Sequence, residues 1–169
     1  MSYRPPLAVA VSPSPSSPAS PAPAPRRAQQ HRILGTYVLA SRTFPDGTVV
    51  HPPAVEGFLT YTEQQRNFNV VWQNEDGTRT SISYLAGYTL PEGTYCEQPI
   101  LWVQQNLLGT PGLSTEVPAA KRDACGPVTV SRDTVTVDVP GEPVTLVFDA
   151  DGITADADGM FVDRWTRVP

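Results

Sequence analysis

The sequence predicts an all-β fold: a single antiparallel up-and-down β-barrel over residues 31–169, behind a disordered Pro-rich tail over residues 1–30. Three observations lead there. Turn signals recur at short intervals from Ile33 onward. The segments between them are rich in Val, Thr, Tyr, Phe and Trp, the residues that fit a pleated surface. Along each segment one face is apolar and the other polar, the pattern of antiparallel strands wet on one side.

The tail comes first. "PPLAVAVSPSPSSPASPAPAP", residues 5 to 25, holds eight of the 19 prolines, interleaved with Ser and Ala. Such a stretch buries nothing and favours extended polyproline-like conformations. Pro15-Ser16-Ser17-Pro18 meets the bare PxxP pattern, which many low-complexity tails also meet. The apolar run Leu7–Val11 is shorter than the roughly seven residues a signal-peptide core needs and cannot span a bilayer. The chain as written therefore reads as cytoplasmic, with no membrane association. Setting Arg4, Arg26 and Arg27 aside leaves 9 basic against 17 acidic residues, a net charge of −8 on the domain. A body that acidic repels phosphate backbones, which argues against nucleic acid as a partner.

Strands follow in order at Leu34–Phe44, Thr48–Val50, Glu56–Tyr61, Asn67–Gln73, Thr80–Leu90, Tyr95–Glu97, Leu101–Gln105, Val128–Ser131, Thr134–Val139, Val144–Phe148 and Met160–Arg167. Between them Asp46-Gly47, Asp76-Gly77, Glu92-Gly93, Pro140-Gly141, Asp151-Gly152 and Asp158-Gly159 read as tight turns. A short helix is expected around Ser114–Arg122. In "TSISYLAGYTL", Ile82, Tyr84, Ala86, Tyr88 and Leu90 share a face. Phe68, Val70 and Trp72 do so in the preceding strand, and Val135, Val137 and Val139 in a later one. A meander of hairpins with one apolar face must stack on a second sheet or close on itself, and sequential hairpins favour closure. A barrel of roughly eight strands can be packed solid or can hold one small ligand.

Cys96 and Cys125 match no metal knuckle and no CxxC pair. In a cytoplasmic protein the default is two free thiols; a disulfide stapling the loop-rich segment between them is the alternative.

"ILGTYVLASRTFPDGTVVHPPAVEGFLTYT" resembles the first hairpin of the bacterial and fungal lipocalin-like domain family. That hairpin has a Gly-x-Trp on the first strand, a polar Asp-Gly turn, a His-Pro pair and a Gly-aromatic-Leu-x-Tyr-Thr strand. Here those features are Gly35-Thr36-Tyr37, Asp46-Gly47, His51-Pro52 and Gly57–Thr62. "YLAGYTLPEGTY" and the closing "DGMFVDRWTRV" are similar to later strands of the family. Two departures stand out: the first-strand Trp is Tyr37, and residues 100 to 127 have no clear counterpart. The resemblance implies a small barrel with an apolar pocket. It also implies a late Arg, Arg164 or Arg167, capping the barrel floor over Tyr37 as a cation–π contact.

Tyr61, Trp72, Tyr84, Tyr88 and Trp102 are the ligand-binding candidates, since aromatic strand residues can line a cavity for planar or polycyclic molecules. Plain core packing is the alternative. Glu97, Asp163 and Tyr84 are the catalytic candidates, because a carboxyl group facing a barrel interior has its pKa raised by desolvation. The parity of the last strand places Asp163 with Phe161 and Trp165, and Arg164 with Val162, without saying which face is interior. His31 and His51 are the only histidines. Neither belongs to a cluster with metal-ligand spacing, so no metal and no cofactor is expected. No nucleophile elbow or phosphate loop is present.

Three functions fit. The first is binding of an apolar or aromatic small molecule without transforming it. The second is a cofactor-free isomerase, cyclase or dehydratase of secondary metabolism, with a Tyr, Glu97 or Asp163 supplying a proton to a hydrophobic biosynthetic intermediate. The third is a tethered structural or interaction domain, with the Pro-rich tail as linker. The oligomeric state is not readable from the sequence.

Overall fold

The computed structural model describes residues 32–107, 111–116 and 124–169. The expected tail, His31 and residues 117–122 of the expected helix lie outside the described residues. Ser114–Glu116, the other part of that helix, are in a strand. No helix among the described residues is long and apolar enough to cross a membrane.

Twelve strands are described: β1 (Gly35–Thr43), β2 (Val49–Val50), β3 (Val55–Tyr61), β4 (Gln65–Gln73), β5 (Arg79–Thr89), β6 (Thr94–Gln105), β7 (Leu113–Glu116), β8 (Ala124–Val130), β9 (Val135–Asp138), β10 (Thr145–Phe148), β11 (Gly152–Asp156) and β12 (Val162–Arg167). Ten of them form one antiparallel meander. It runs from β1 through β3, β4, β5, β6, β8, β9, β10 and β11 to β12, which pairs with β1 and closes the barrel. β2 pairs with β1, and β7 with β6. The architecture is thus the expected closed up-and-down barrel, with ten staves rather than about eight. A larger strand number widens the interior.

Several elements differ from the sequence reading: β7 is additional, and β8 begins at Ala124 rather than Val128. Tyr95–Glu97 and Leu101–Gln105 are one strand, β6, interrupted by a bulge at Ile100: Leu85 pairs with Leu101 and Ala86 with Pro99. Pro99 has no N–H to give a ladder and sits beside this irregularity, a place where strands tolerate proline. The segment Gly152–Asp156, placed in no strand by the sequence, is β11. This short stretch between two Asp-Gly sites carries a weak strand signal but pairs along its whole length with β12 and from Ile153 to Asp156 with β10.

The hairpins close on glycines with positive φ at Gly47, Gly77, Gly93, Gly141 and Gly159, a region in which side chains with a Cβ are strained. Cys96 and Cys125 face each other on β6 and β8 and form a disulfide, so the default of two free thiols gives way to the alternative. The two cysteines are directly opposed in an antiparallel ladder, where Cβ atoms lie close enough to bridge.

The interior divides along the barrel axis. At the end bearing the β3–β4, β5–β6 and β10–β11 turns, the space is filled by Ile33, Tyr37, Tyr61, Tyr88, Tyr95 and Phe148, all buried. Edge-to-face contacts join Tyr61 to Tyr88 and Phe148, and Phe148 to Tyr37, at centroid distances of 5.4 to 6.2 Å. Tyr88 and Tyr95 stack at 5.6 Å. The opposite end is not filled.

Candidate functional site

The unfilled end holds a cavity of about 280 Å³. Its apolar wall comes from alternate residues of the strands: Leu59 on β3, Phe68, Val70 and Trp72 on β4, Ile82 on β5, Leu146 on β10, and Trp165 on β12. Leu107 and the turn residues Glu142, Val144, Met160 and Phe161 line its outer part. The alternation read from "NFNVVWQ" and "TSISYLAGYTL" is what aims these side chains inward, since residues two apart on a strand share a face.

Two buried ion pairs adjoin this wall: Arg42, Asp163 and Arg66 line the cavity, while Glu97 lies outside its lining. Arg42 Nε and Nη2 donate to Asp163 Oδ1 and Oδ2 at 2.7 and 2.8 Å, a bidentate pair across β1 and β12. The Arg42 guanidinium lies 3.7 Å from the Phe161 ring centroid and 5.3 Å from that of Trp72. Arg66 Nη1 donates to Glu97 Oε1 at 2.8 Å. The same carboxylate accepts the hydroxyls of Tyr95 at 2.5 Å and Tyr84 at 2.8 Å. All four charged residues are 3 to 5% exposed, so each charge relies on its partner.

The ring hydroxyls stay protonated. Burial pushes Tyr84 and Tyr95 well above the usual phenol range, and the Glu97 carboxylate adds to the rise in both. Burial likewise raises Tyr61 to about 12. Tyr84 and Tyr95 are donors to Glu97 and not bases.

The candidate residues distribute as follows. Trp72 lines the large cavity. Tyr61 and Tyr88 belong to the packed aromatic end, where the Tyr88 hydroxyl donates to Thr62 O at 2.5 Å. The tyrosine hydroxyls on the β5 face, read from sequence as signs of a cavity, find their acceptors in the protein. Tyr84, Glu97, Pro99, Ala124 and residues 140–142 surround a smaller space of about 210 Å³. Trp102 pairs with Tyr84 across β5 and β6, with ring centroids 5.6 Å apart, and does not line the large cavity. Asp163 faces inward with Phe161 and Trp165, which resolves the parity question.

Arg167 caps the closed end, its guanidinium carbon 4.9 Å from the Tyr37 centroid. It donates to Leu34 O and Arg32 O at 2.5 and 2.6 Å. Arg164, the other candidate, is exposed on the outer face and bonds Thr154 Oγ1, because neighbours on a strand point to opposite sides. His51 is exposed at the rim, with Nδ1 3.1 Å from Ala40 O. No group of three metal-ligating side chains occurs among the described residues. Sequence reasoning missed Arg42 and Arg66, which lie in otherwise polar-looking stretches. Their only signal was parity: Arg66 is two residues before Phe68, on the face that carries Val70 and Trp72.

No protein-family model matches the chain, and no curated protein matches it. Among solved structures the chain is similar to a lipocalin-like protein from Bacteroides uniformis ATCC 8492. The two are 14% identical, over 81% of this chain and 99% of that chain, with a TM-score of 0.32. The barrel assignment stands on the closed ten-strand pairing itself. The architecture is a closed antiparallel up-and-down β-barrel of ten strands.

Proposed function

We propose that the protein binds a small, largely apolar molecule in the cavity at the open end of the barrel. The observation that carries this reading is the cavity itself, walled by Leu59, Phe68, Val70, Trp72, Ile82, Leu146 and Trp165 beside a fully packed opposite end. A core built only for stability is filled to crystal-like density, and an unfilled apolar space of this size costs stability. At about 280 Å³ it lies at the lower edge of the roughly 300–1,000 Å³ typical of ligand pockets, which suits a compact ligand.

The carboxylates support binding over catalysis. Asp163 is held by two bonds from Arg42, and Glu97 by Arg66, Tyr84 and Tyr95. Neither is poised to take a proton from a bound molecule without breaking a buried pair. The Cys96–Cys125 bridge, with Cys125 exposed, favours an oxidising compartment over the cytoplasm expected from the first residues.

The test is a titration with an apolar probe such as isopropylbenzene, read by the fluorescence of the cavity tryptophans Trp72 and Trp165. A saturable change is expected, lost in Ala155→Leu, which adds methyl groups at the cavity wall. A wild-type protein that takes up no apolar probe would overturn the reading.

A further inference from the structure

Two buried side-chain atoms have no hydrogen-bond partner among the described residues: Arg66 Nε and Tyr61 Oη. The Tyr61 hydroxyl neighbours that of Tyr95, and Tyr61 belongs to the packed aromatic end and does not line the cavity. Arg66 is different, because it lines the cavity. We infer that Arg66 Nε–H is the anchoring donor of the site, and that the ligand is a neutral molecule carrying one acceptor oxygen, such as a carbonyl, on an apolar frame. This rests on the binding function proposed above and specifies its ligand class.

The donor is held in place. The Arg66 side chain is 5% exposed, its Nη1 is committed to Glu97, and its guanidinium carbon lies 5.5 and 5.4 Å from the Phe68 and Tyr84 ring centroids. A buried N–H without an acceptor carries its full desolvation penalty, which a ligand oxygen removes.

The charges around it select the ligand's own charge. Arg42 and Arg66 face Asp163 and Glu97 in closed pairs. The half-buried Glu142 also lines the cavity, and its field reaches Arg66. Two guanidinium groups thus stand against three carboxylates. A ligand carboxylate would add a fourth negative charge at low dielectric. An ammonium would suit that balance but offers only donors, and would set N–H against N–H at Arg66. A neutral acceptor meets both conditions.

The test compares three probes of equal size, acetophenone, isopropylbenzene and benzoate, on the full chain, by tryptophan fluorescence and calorimetry. Acetophenone is expected to bind about tenfold or more tightly than isopropylbenzene, from one hydrogen bond to a charged donor. Benzoate is expected to bind more weakly than acetophenone, and to gain in Glu142→Gln. Arg66→Lys keeps a cation for Glu97 and removes the Nε–H. It should erase the preference for acetophenone over isopropylbenzene. Equal binding of acetophenone and isopropylbenzene in the wild type would overturn the inference and leave the binding function standing, as would benzoate binding tightest or the preference surviving in Arg66→Lys. Failure of all three probes would overturn both. The wild-type comparison decides the matter even where a variant does not fold.

Discussion

The Cη2–Cζ3 edge of the Trp165 indole lies against Gly57, so close that a Cβ there would sit 2.7 Å from Trp165 Cη2 and 2.9 Å from Asn69 O. Gly57 on β3 and Trp165 on β12 belong to strands separated by β1, so the contact crosses the barrel wall from within. Gly57→Ala is expected to destabilise the protein by about 1–3 kcal/mol through overpacking, seen as a lowered Tm. Because Trp165 lines the cavity, its emission should shift as well. An unchanged Tm would show that the indole has room to move.

Gly35 has the same kind of role at the closed end. Its φ is +148°, and a Cβ would meet Arg167 Nη1 at 2.7 Å. Gly35→Ala should push the guanidinium off Tyr37 and weaken its bonds to Leu34 O and Arg32 O, with a loss of about 1–3 kcal/mol in denaturant unfolding. Arg164→Ala, on the outer face, is expected to change stability by less than about 0.5 kcal/mol.

Arg42 and Asp163 form a desolvated pair, so removing one partner strands the other. Arg42→Met is expected to cost about 3–5 kcal/mol by chemical denaturation. The double variant Arg42→Met/Asp163→Leu should recover most of that loss, since the uncompensated charge is gone. A double variant no more stable than the single would show that the guanidinium acts through its stacking on Phe161 and Trp72.

The Cys96–Cys125 bridge closes a loop with a sequence separation of 29. On the loop-entropy estimate, reducing it or replacing both cysteines with serine should cost about 3–4 kcal/mol. Thermal unfolding with and without reductant measures this.

Alkaline pH should unfold the protein through its buried tyrosines. Tyr37 and Tyr61 are raised from the ordinary 10.0 to about 12 by burial. Below pH 10 both states are protonated and the stability is full. Between about 10 and 12 the unfolded chain loses phenol protons that the folded chain keeps, so stability falls as pH rises. Denaturant midpoints across this window should decline, with phenolate absorbance appearing together with unfolding. Phenolate absorbance near pH 10 without unfolding, beyond that of the single N-terminal Tyr3, would mean that these rings are solvated.

Most of the barrel was legible because strand alternation and Asp-Gly turns are local signals. The inward faces of β4, β5 and β9 follow directly from period-two patterning in "NFNVVWQ", "TSISYLAGYTL" and "DTVTVDV". β11 escaped, because Gly152–Asp156 holds small residues and depends on two neighbours for its pairing. Among the site candidates, Trp72 lines the cavity, while Tyr61 and Tyr88 pack the closed end. The reason is position along the strand: alternation assigns a face, but not a depth along the barrel axis.

The sequence by itself determined an antiparallel all-β domain, the sites of its turns and which residues share a strand face, since these depend on residues a few positions apart. Tertiary structure alone decided that the interior is filled at one end and open at the other. It also decided that Arg42 meets Asp163 and Arg66 meets Glu97, and that Cys96 faces Cys125. Those outcomes depend on which strands become neighbours and in what register. Ring closure between β1 and β12 brings Arg42 to Asp163 across more than a hundred residues of chain, and the pairings of β4, β5, β6 and β8 bring the other two pairs together.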